Sequence, residues 1–306
     1  MSVERWIITD QAEWLLRRRA NVNGSEIAAL FRRNPYLTPF ALYAEKAGLA
    51  ELATPESEVL RRGRILEPAV AAGVQEERPH WGIEKAAEYV WSPTWRLGCT
   101  PDFYARCPDR GLGVVQAKTV ARPVFEDEWA EGPPQWIILQ TLQEMMLTDS
   151  RWGAIAALVM SAYTVDIQIW EFDRHEAAEA RIVAAAEMFW SDIAAGKPPE
   201  AEWSRDDEVI KALYPRDNGA IVDLSGDGRL VELLEDYEQL STIGRDAECR
   251  LRAVKAEIAA KLGNAATATL PGWEVTHKTQ KRTGYVVGDT EFRVLRIKRR
   301  NQEMAA

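Results

Sequence analysis

Between Gly98 and Lys118 the chain reads GCTPDFYARCPDRGLGVVQAK, and few folds accommodate that stretch. Phe103–Cys107 and Gly113–Thr119 are short runs of β-favouring residues, separated by the turn formers Pro108-Asp109-Arg110-Gly111, which together predict a β-hairpin. Side chains alternate across a strand. Val114, Gln116 and Lys118 therefore share one face of the second strand, and Val115, Ala117 and Thr119 share the other. Asp102 follows the stiff Thr100-Pro101 at the mouth of the first strand, where it can sit beside Gln116 and Lys118. An acid, a second oxygen donor and a lysine in one small volume suit phosphodiester hydrolysis. Hard oxygens hold magnesium, and a cation positions the attacking water and steadies the developing charge. An exposed hairpin with solvated polar groups fits the same residues as well.

Such a hairpin needs a core to lie on, and 306 residues with 46% hydrophobic and 28% charged content supply one. The length allows one large domain with an appendage, or two domains. No run approaches the roughly 18 apolar residues of a membrane span, and Met1–Thr9 is polar and too short for a secretory signal, so a cytoplasmic protein without membrane contact is expected. Cys99, Cys107 and Cys249 are odd in number and lack CxxC spacing, which argues against a disulfide framework, a zinc ribbon or an iron–sulfur cluster. The net charge of −9 speaks against nucleic acid as a partner of the whole chain, but the charge is unevenly placed.

Upstream of the hairpin, Asp10 and Glu13 have capping-box spacing and start a helix that ends in Arg17-Arg18-Arg19. After the Asn23-Gly24 break, Ser25 is placed to cap a second helix, Glu26–Phe31. A serine hydroxyl at a helix start, completed by Arg18, makes an anion site; a plain cap beside a solvated basic helix end is the other reading. Thr38-Pro39 opens a third helix that Gly48 closes. A longer helix runs from Thr54-Pro55 to about Gln75, where Leu60, Gly63, Glu67, Val70 and Val74 recur at spacings of three and four. Glu67 on that stripe needs a metal or a buried Arg partner. If the helix restarts at Pro68, Glu67 is only an N-cap.

Downstream, Pro133-Pro134 opens an apolar helix, Gln135–Leu147, with Trp136, Gln140, Gln143 and Leu147 on one face. A second hairpin follows, Arg151–Met160 and Thr164–Phe172, and then an amphipathic helix from His175 to Ala195. Four regions result: a core over 1–200, a linker with a short helix over 201–229, a long heptad-patterned helix over 230–263, and a basic β-rich tail over 264–306. The tail predicts strands at Trp273–Thr276, Tyr285–Val287 and Phe292–Ile297. Lys278, Lys281, Arg282, Arg293 and Arg296 among these strands suit a phosphate-contacting arm.

In order along the chain, Trp14-x3-Arg18-x6-Ser25-Glu26-Ile27-Ala28, Gly63-Arg64-x2-Glu67-Pro68, Thr100-Pro101-Asp102, Gln116-Ala117-Lys118 and Trp136-x3-Gln140 resemble the motifs of the YqaJ-type phage recombinases. Those are relatives of phage lambda exonuclease within the PD-(D/E)xK nuclease superfamily. The resemblance covers roughly residues 10 to 195 and implies an α/β (α+β) fold, a central mixed sheet flanked by helices. It also implies a magnesium-dependent exonuclease, with manganese able to substitute, that digests one strand of duplex DNA from the 5′ end for phage-type recombination. By that resemblance Glu67, Asp102 and Gln116 are metal ligands, Lys118 is the catalytic lysine and Gln140 is the helix glutamine at the site. Arg18 and Ser25 hold the terminal 5′-phosphate. A ring-shaped homo-oligomer, with a trimer as the candidate form, and a single-strand annealing partner complete the expectation, in a bacterial or phage-infected cell. Gln116 departs from the pattern, which usually has glutamate there. An amide oxygen still coordinates a hard cation but brings no charge, so the other reading is a weakly active or non-catalytic protein that binds DNA ends.

Overall fold

The computed structural model describes residues 2–50, 58–282, 284, 289 and 292–297. Its contacts divide the chain into two units, Met1–Tyr214 and Pro215–Ala306. The first unit opens with β1 (Glu4–Ile7), α1 (Gln11–Ala20), β2 (Val22–Asn23), α2 (Ile27–Leu30) and α3 (Pro39–Lys46). Asp10 caps α1 by accepting from the Glu13 amide at 2.8 Å, as the spacing predicts. Thr38 caps α3 by accepting from the Ala41 amide at 2.9 Å, with Pro39 in its first turn, and Gly48 takes the left-handed φ of 68° beyond its end. The expected Ser25 cap does not form. Glu26 holds the N-cap position of α2 without a side-chain cap bond, because its carboxylate turns back to accept from the Asn23 amide at 2.9 Å.

Next comes α4 (Glu58–Glu77), one continuous helix through Pro68, so Glu67 is not an N-cap. The expected start at Thr54-Pro55 lies outside the described residues. The apolar stripe is narrower than its spacing predicts: Leu60 is exposed, and burial begins at Val70 and Val74. Those two valines pack with Phe103, Ala105 and Val115, which helps offset the roughly 3 kcal/mol that an interior proline costs.

The remaining elements of the unit are β3 (Gly82–Lys85), β4 (Glu88–Ser92), β5 (Leu97–Cys99), β6 (Phe103–Cys107), β7 (Gly111–Ala121), α5 (Arg122–Glu128), α6 (Gln135–Thr148), β8 (Trp152–Met160), β9 (Val165–Asp173), α7 (Glu176–Ala194) and α8 (Asp207–Leu213). Both expected hairpins are present: Phe103 pairs with Val115 across β6 and β7, and Trp152 with Asp173 across β8 and β9. A five-stranded sheet runs β3-β6-β7-β8-β9, antiparallel except for the parallel pair β7–β8. Parallel neighbours need a crossover, which α5 and α6 provide. A four-stranded sheet, β1-β4-β5-β2, is mixed as well, through the parallel pair β2–β5.

The alternation along β7 decides which residues meet. Val115 packs in one cluster with Val70 and Val74 of α4, whereas Val114 packs in another with Leu142, Met145 and Leu147 of α6. Helices thus cover both faces, and Gln116 and Lys118 lie on the α6 side. Close approach of α6 depends on Gly153 in β8, where a Cβ would stand 2.6 Å from Met145 Sδ. Gln143 fixes the helix further, donating to the Val22 carbonyl at 3.0 Å and the Gly98 carbonyl at 2.8 Å.

The second unit contains α9 (Gly228–Leu262), β10 (Thr267–Leu270) and β11 (Trp273–Thr276). Asp227 caps α9 by accepting from the Leu230 amide at 3.0 Å, and Gly263 closes it. The helix runs unbroken through Gly244, and none of its residues is buried. The strand expected at Trp273–Thr276 is present as β11, and it pairs antiparallel with β10, which the reading of the tail did not include. Phe292–Ile297 forms no strand, since a β-rich run needs a neighbour to take its backbone hydrogen bonds, and Tyr285–Val287 lies outside the described residues. Lys278, Lys281, Arg282, Arg293 and Arg296 are exposed and carry no regular structure.

Candidate active site

Asp102, Gln116, Lys118 and Gln140 meet where the β6–β7 hairpin faces α6. Asp102 Oδ2 accepts from the Ala117 amide at 2.9 Å and from Gln116 Nε2. Gln140 Nε2 donates to Gln116 Oε1 at 2.9 Å and also to Glu144 Oε1 at 3.0 Å, while its Oε1 accepts from Lys118 Nζ at 3.4 Å. Two glutamine amides thus link two acids, Asp102 and Glu144. Gln116, Gln140 and Glu144 are buried, whereas Asp102 and Lys118 keep part of their surface in solvent. The cluster is open at the end that carries the acid and the lysine.

Burial dominates the electrostatics. It raises the Asp102 carboxyl above its ordinary range, against the opposing pull of Lys118, the Ala117 amide, Lys85 and Gln116. It lowers the Lys118 ammonium, against the attraction of Asp102 and Glu144. Glu144 is pushed up to about 8, again by burial first and then by the charge of Asp102. Glu144 Oε2 is buried with no hydrogen-bond partner, which is rare for a polar atom in a folded interior.

Glu67 reaches this cluster only through a neighbour. Its carboxylate pairs with Lys85 Nζ on β3, which lies 5.0 Å from the Phe103 ring centroid and whose charge acts on Asp102. Among the described residues no group of three or more His, Cys, Asp and Glu side chains stands close enough to hold a metal. The donors nonetheless suit a hard divalent cation: carboxylate oxygens of Asp102 and Glu144, amide oxygens of Gln116 and Gln140, and one carboxylate oxygen without a partner.

A second polar cluster adjoins the first. Arg18 donates to Ser25 Oγ at 3.2 Å, lies 3.6 Å from Glu26 Oε1, and stacks 4.8 Å from the Trp14 ring centroid. Lys46 Nζ, almost wholly buried, stands 2.8 Å from Glu26 Oε2. Burial alone raises the Glu26 carboxyl, but Lys46 and Arg18 outweigh it and hold the group below its ordinary value. As α2 is a single turn, the cations here are side chains and not a helix end. A Cβ on Gly24 would lie 3.3 Å from Gln140 Cγ and 3.4 Å from Glu144 Oε1, so the turn that carries Ser25 rests on the acid–lysine cluster.

Three charged residues in these clusters escape the motif reading. Glu144 stands four residues beyond Gln140, the helical spacing that stacks side chains on one face, and that spacing was the available signal. Lys46 and Lys85 give no local signal, because their partners are distant in sequence.

The fold and this constellation define a mixed α/β domain with an acid–amide–lysine centre between a hairpin and a helix. Residues 13–151 match the model of the YqaJ-like viral recombinase domain. Over 262 residues the chain is 25% identical to uncharacterized protein YqaJ of Bacillus subtilis (strain 168), covering 80% of this chain and 77% of that one. Among solved structures, it is similar to the alkaline exonuclease LHK-Exo of Laribacter hongkongensis, with 18% identity, a TM-score of 0.47, and coverage of 61% of this chain and 94% of the other. A phage-related exonuclease from Haemophilus somnus 129PT gives 18% identity and a TM-score of 0.44, covering 57% and 96%.

Proposed function

We propose that this protein is a divalent-metal-dependent exonuclease that degrades one strand of linear duplex DNA from the 5′ end and leaves single-stranded tails for recombination. The observation that carries this reading is the meeting of Asp102, Gln116, Lys118 and Gln140 in one half-open cluster, within the span that matches the YqaJ-like viral recombinase domain. Magnesium, with manganese as substitute, would be held by Asp102 and the Gln116 amide oxygen, with Glu67 linked to them through Lys85, and would supply charge stabilisation and a more acidic water. Lys118 positions the attacking water and steadies negative charge on the phosphate, and burial lowers its proton affinity against the attraction of Asp102 and Glu144. Gln140 fixes the Lys118 ammonium through its side-chain oxygen. Arg18 and Ser25 hold a terminal 5′-phosphate one turn of chain away, which sets the direction of digestion.

Lys278, Lys281, Arg282, Arg293 and Arg296 contact the DNA backbone in this reading, and the active form is a ring-shaped homo-oligomer that hands its product to a single-strand annealing protein. A second reading, a DNA-end-binding protein without catalysis, is favoured by one observation. Gln116 turns its amide nitrogen to Asp102, which satisfies the carboxylate without a metal. Linear duplex labelled at the 5′ or the 3′ end, incubated with the full chain and magnesium or manganese, separates the two. The nuclease releases 5′ label first as mononucleotides; a binder shifts the duplex on a gel and releases none.

A further inference from the structure

Glu144 is 1% exposed, and among the described residues one of its carboxylate oxygens has no partner and no positively charged side chain donates a hydrogen bond to it. An acid placed so is expensive unless it meets a cation. Lys118, whose charge acts on Glu144, donates instead to Gln140 Oε1. Glu144 Oε1 and Gln116 Oε1 both accept from the same nitrogen, Gln140 Nε2, at 3.0 and 2.9 Å. Two oxygens converging on one donor offer the kind of position that a hard cation takes when it displaces a neutral amide group. Gln116 contributes no charge there. Glu144, one turn beyond Gln140 on α6, does.

We propose that Glu144 carries the negative charge for the divalent cation that the β7 strand lacks at Gln116, so that the acidic metal-binding group has moved from the strand to the facing helix. The proposal rests on the nuclease reading only in taking the cation to belong to this cluster. It assigns a residue outside the motifs, and it explains why a buried acid with an unbonded carboxylate oxygen persists at that position. Within this account Gln116 and Glu144 are exchangeable: one carboxylate is required, on either the strand or the helix.

The test is isothermal titration of Mn2+ alone into the full-length protein without DNA, for wild type, Glu144→Gln, Gln116→Glu and the double variant. Glu144→Gln keeps the volume and the Gln140 contact and removes the charge, so it is expected to fold and to bind Mn2+ at least tenfold more weakly. The double variant, with the carboxylate returned to the strand, is expected to regain most of that loss. Gln116→Glu alone is expected to gain less over wild type than the double variant gains over Glu144→Gln. Unchanged Mn2+ affinity in Glu144→Gln, or no recovery in the double variant, overturns the proposal. Should Glu144→Gln fail to fold, the comparison of Gln116→Glu with the double variant decides instead: equal affinity supports exchange, and much weaker binding by the double variant overturns it. Cleavage of linear duplex is measured in parallel. Glu144-dependent Mn2+ binding without cleavage by wild type defeats the nuclease reading and leaves this one standing.

Discussion

Glu26 and Glu144 are glutamates of the same unit, both withdrawn from water, with opposite electrostatics. Glu26 has Lys46 at 2.8 Å and Arg18 at 3.6 Å, accepts from the Asn23 amide and side chain, and stays below its ordinary value. Glu144 has one amide donor and an orphaned oxygen, and is pushed up to about 8. The first region is a finished structural pairing that leaves Arg18 and Ser25 at the surface. The second is unfinished without a ligand, and open on the side of Asp102 and Lys118. Burial is common to both, so the difference lies in whether a cation of the chain pairs directly with the carboxylate, as Lys46 does with Glu26, or acts on it without a bond, as Lys118 does on Glu144.

The largest effect should come from the unfinished region. Lys118→Ala is expected to lower cleavage of linear duplex by roughly 100- to 1000-fold, the usual loss when one group stabilising developing charge is removed, with an unchanged thermal melt. A melt lowered in step with activity would turn Lys118 into a structural residue and erase the contrast. In the finished region Lys46→Ala leaves Glu26 buried with a weaker partner, and a loss of about 3–5 kcal/mol in a denaturant melt is expected. A loss under 1 kcal/mol would show that Glu26 does not need its lysine.

Next in size is the end pocket. Arg18→Ala should remove a preference of roughly tenfold for 5′-phosphorylated over 5′-hydroxyl duplex, the effect of one charge-assisted contact. Equal rates on both substrates with the wild-type protein would leave Arg18 to Glu26 alone. A further effect is on stability against pH without divalent metal, and here the two glutamates act in opposite directions. Glu144 is raised, so its contribution is fully present below its ordinary value of 4.5 and is lost as pH rises toward about 8. Glu26 is lowered, so its contribution is present above 4.5 and lost as pH falls through its depressed value. Asp102, Lys118 and Cys99 stand around Glu144, and the first two of these also titrate with the site. Melting temperatures from pH 4 to 8.5 should therefore fall at both ends. Glu144→Gln should flatten the alkaline side and Glu26→Gln the acid side, and a variant that flattens the other side would break the comparison.

The sequence made part of this legible, for physical reasons. The period of two along Gly113–Thr119 put Gln116 and Lys118 on one face, and strand geometry leaves no other outcome. Asp10 and Thr38 are caps because their partners lie three residues on, within reach of sequence reasoning. Ser25 fails as a cap because Glu26 answers to Lys46, a partner brought in by α3 that local spacing does not reveal. For Glu67, the helix periodicity gave a place on the stripe but not Lys85, which arrives from another strand. Glu144 lay on the face already marked by Gln140, yet its burial depends on Gly24 and on how closely α6 lies on the sheet. At the tail, composition showed charge and β preference but not which run finds a neighbour, and β10 takes that place beside β11.

The central claim is that Asp102 holds a catalytic divalent cation between the hairpin and α6. A magnesium titration of 5′-end-labelled duplex digestion by the full chain, wild type beside Asp102→Asn, tests it most directly. The account predicts no release of label in EDTA, a saturable rise with magnesium for wild type, and a flat line for Asp102→Asn at every concentration. Digestion by Asp102→Asn at a rate close to wild type, or digestion by wild type that ignores magnesium, would contradict it.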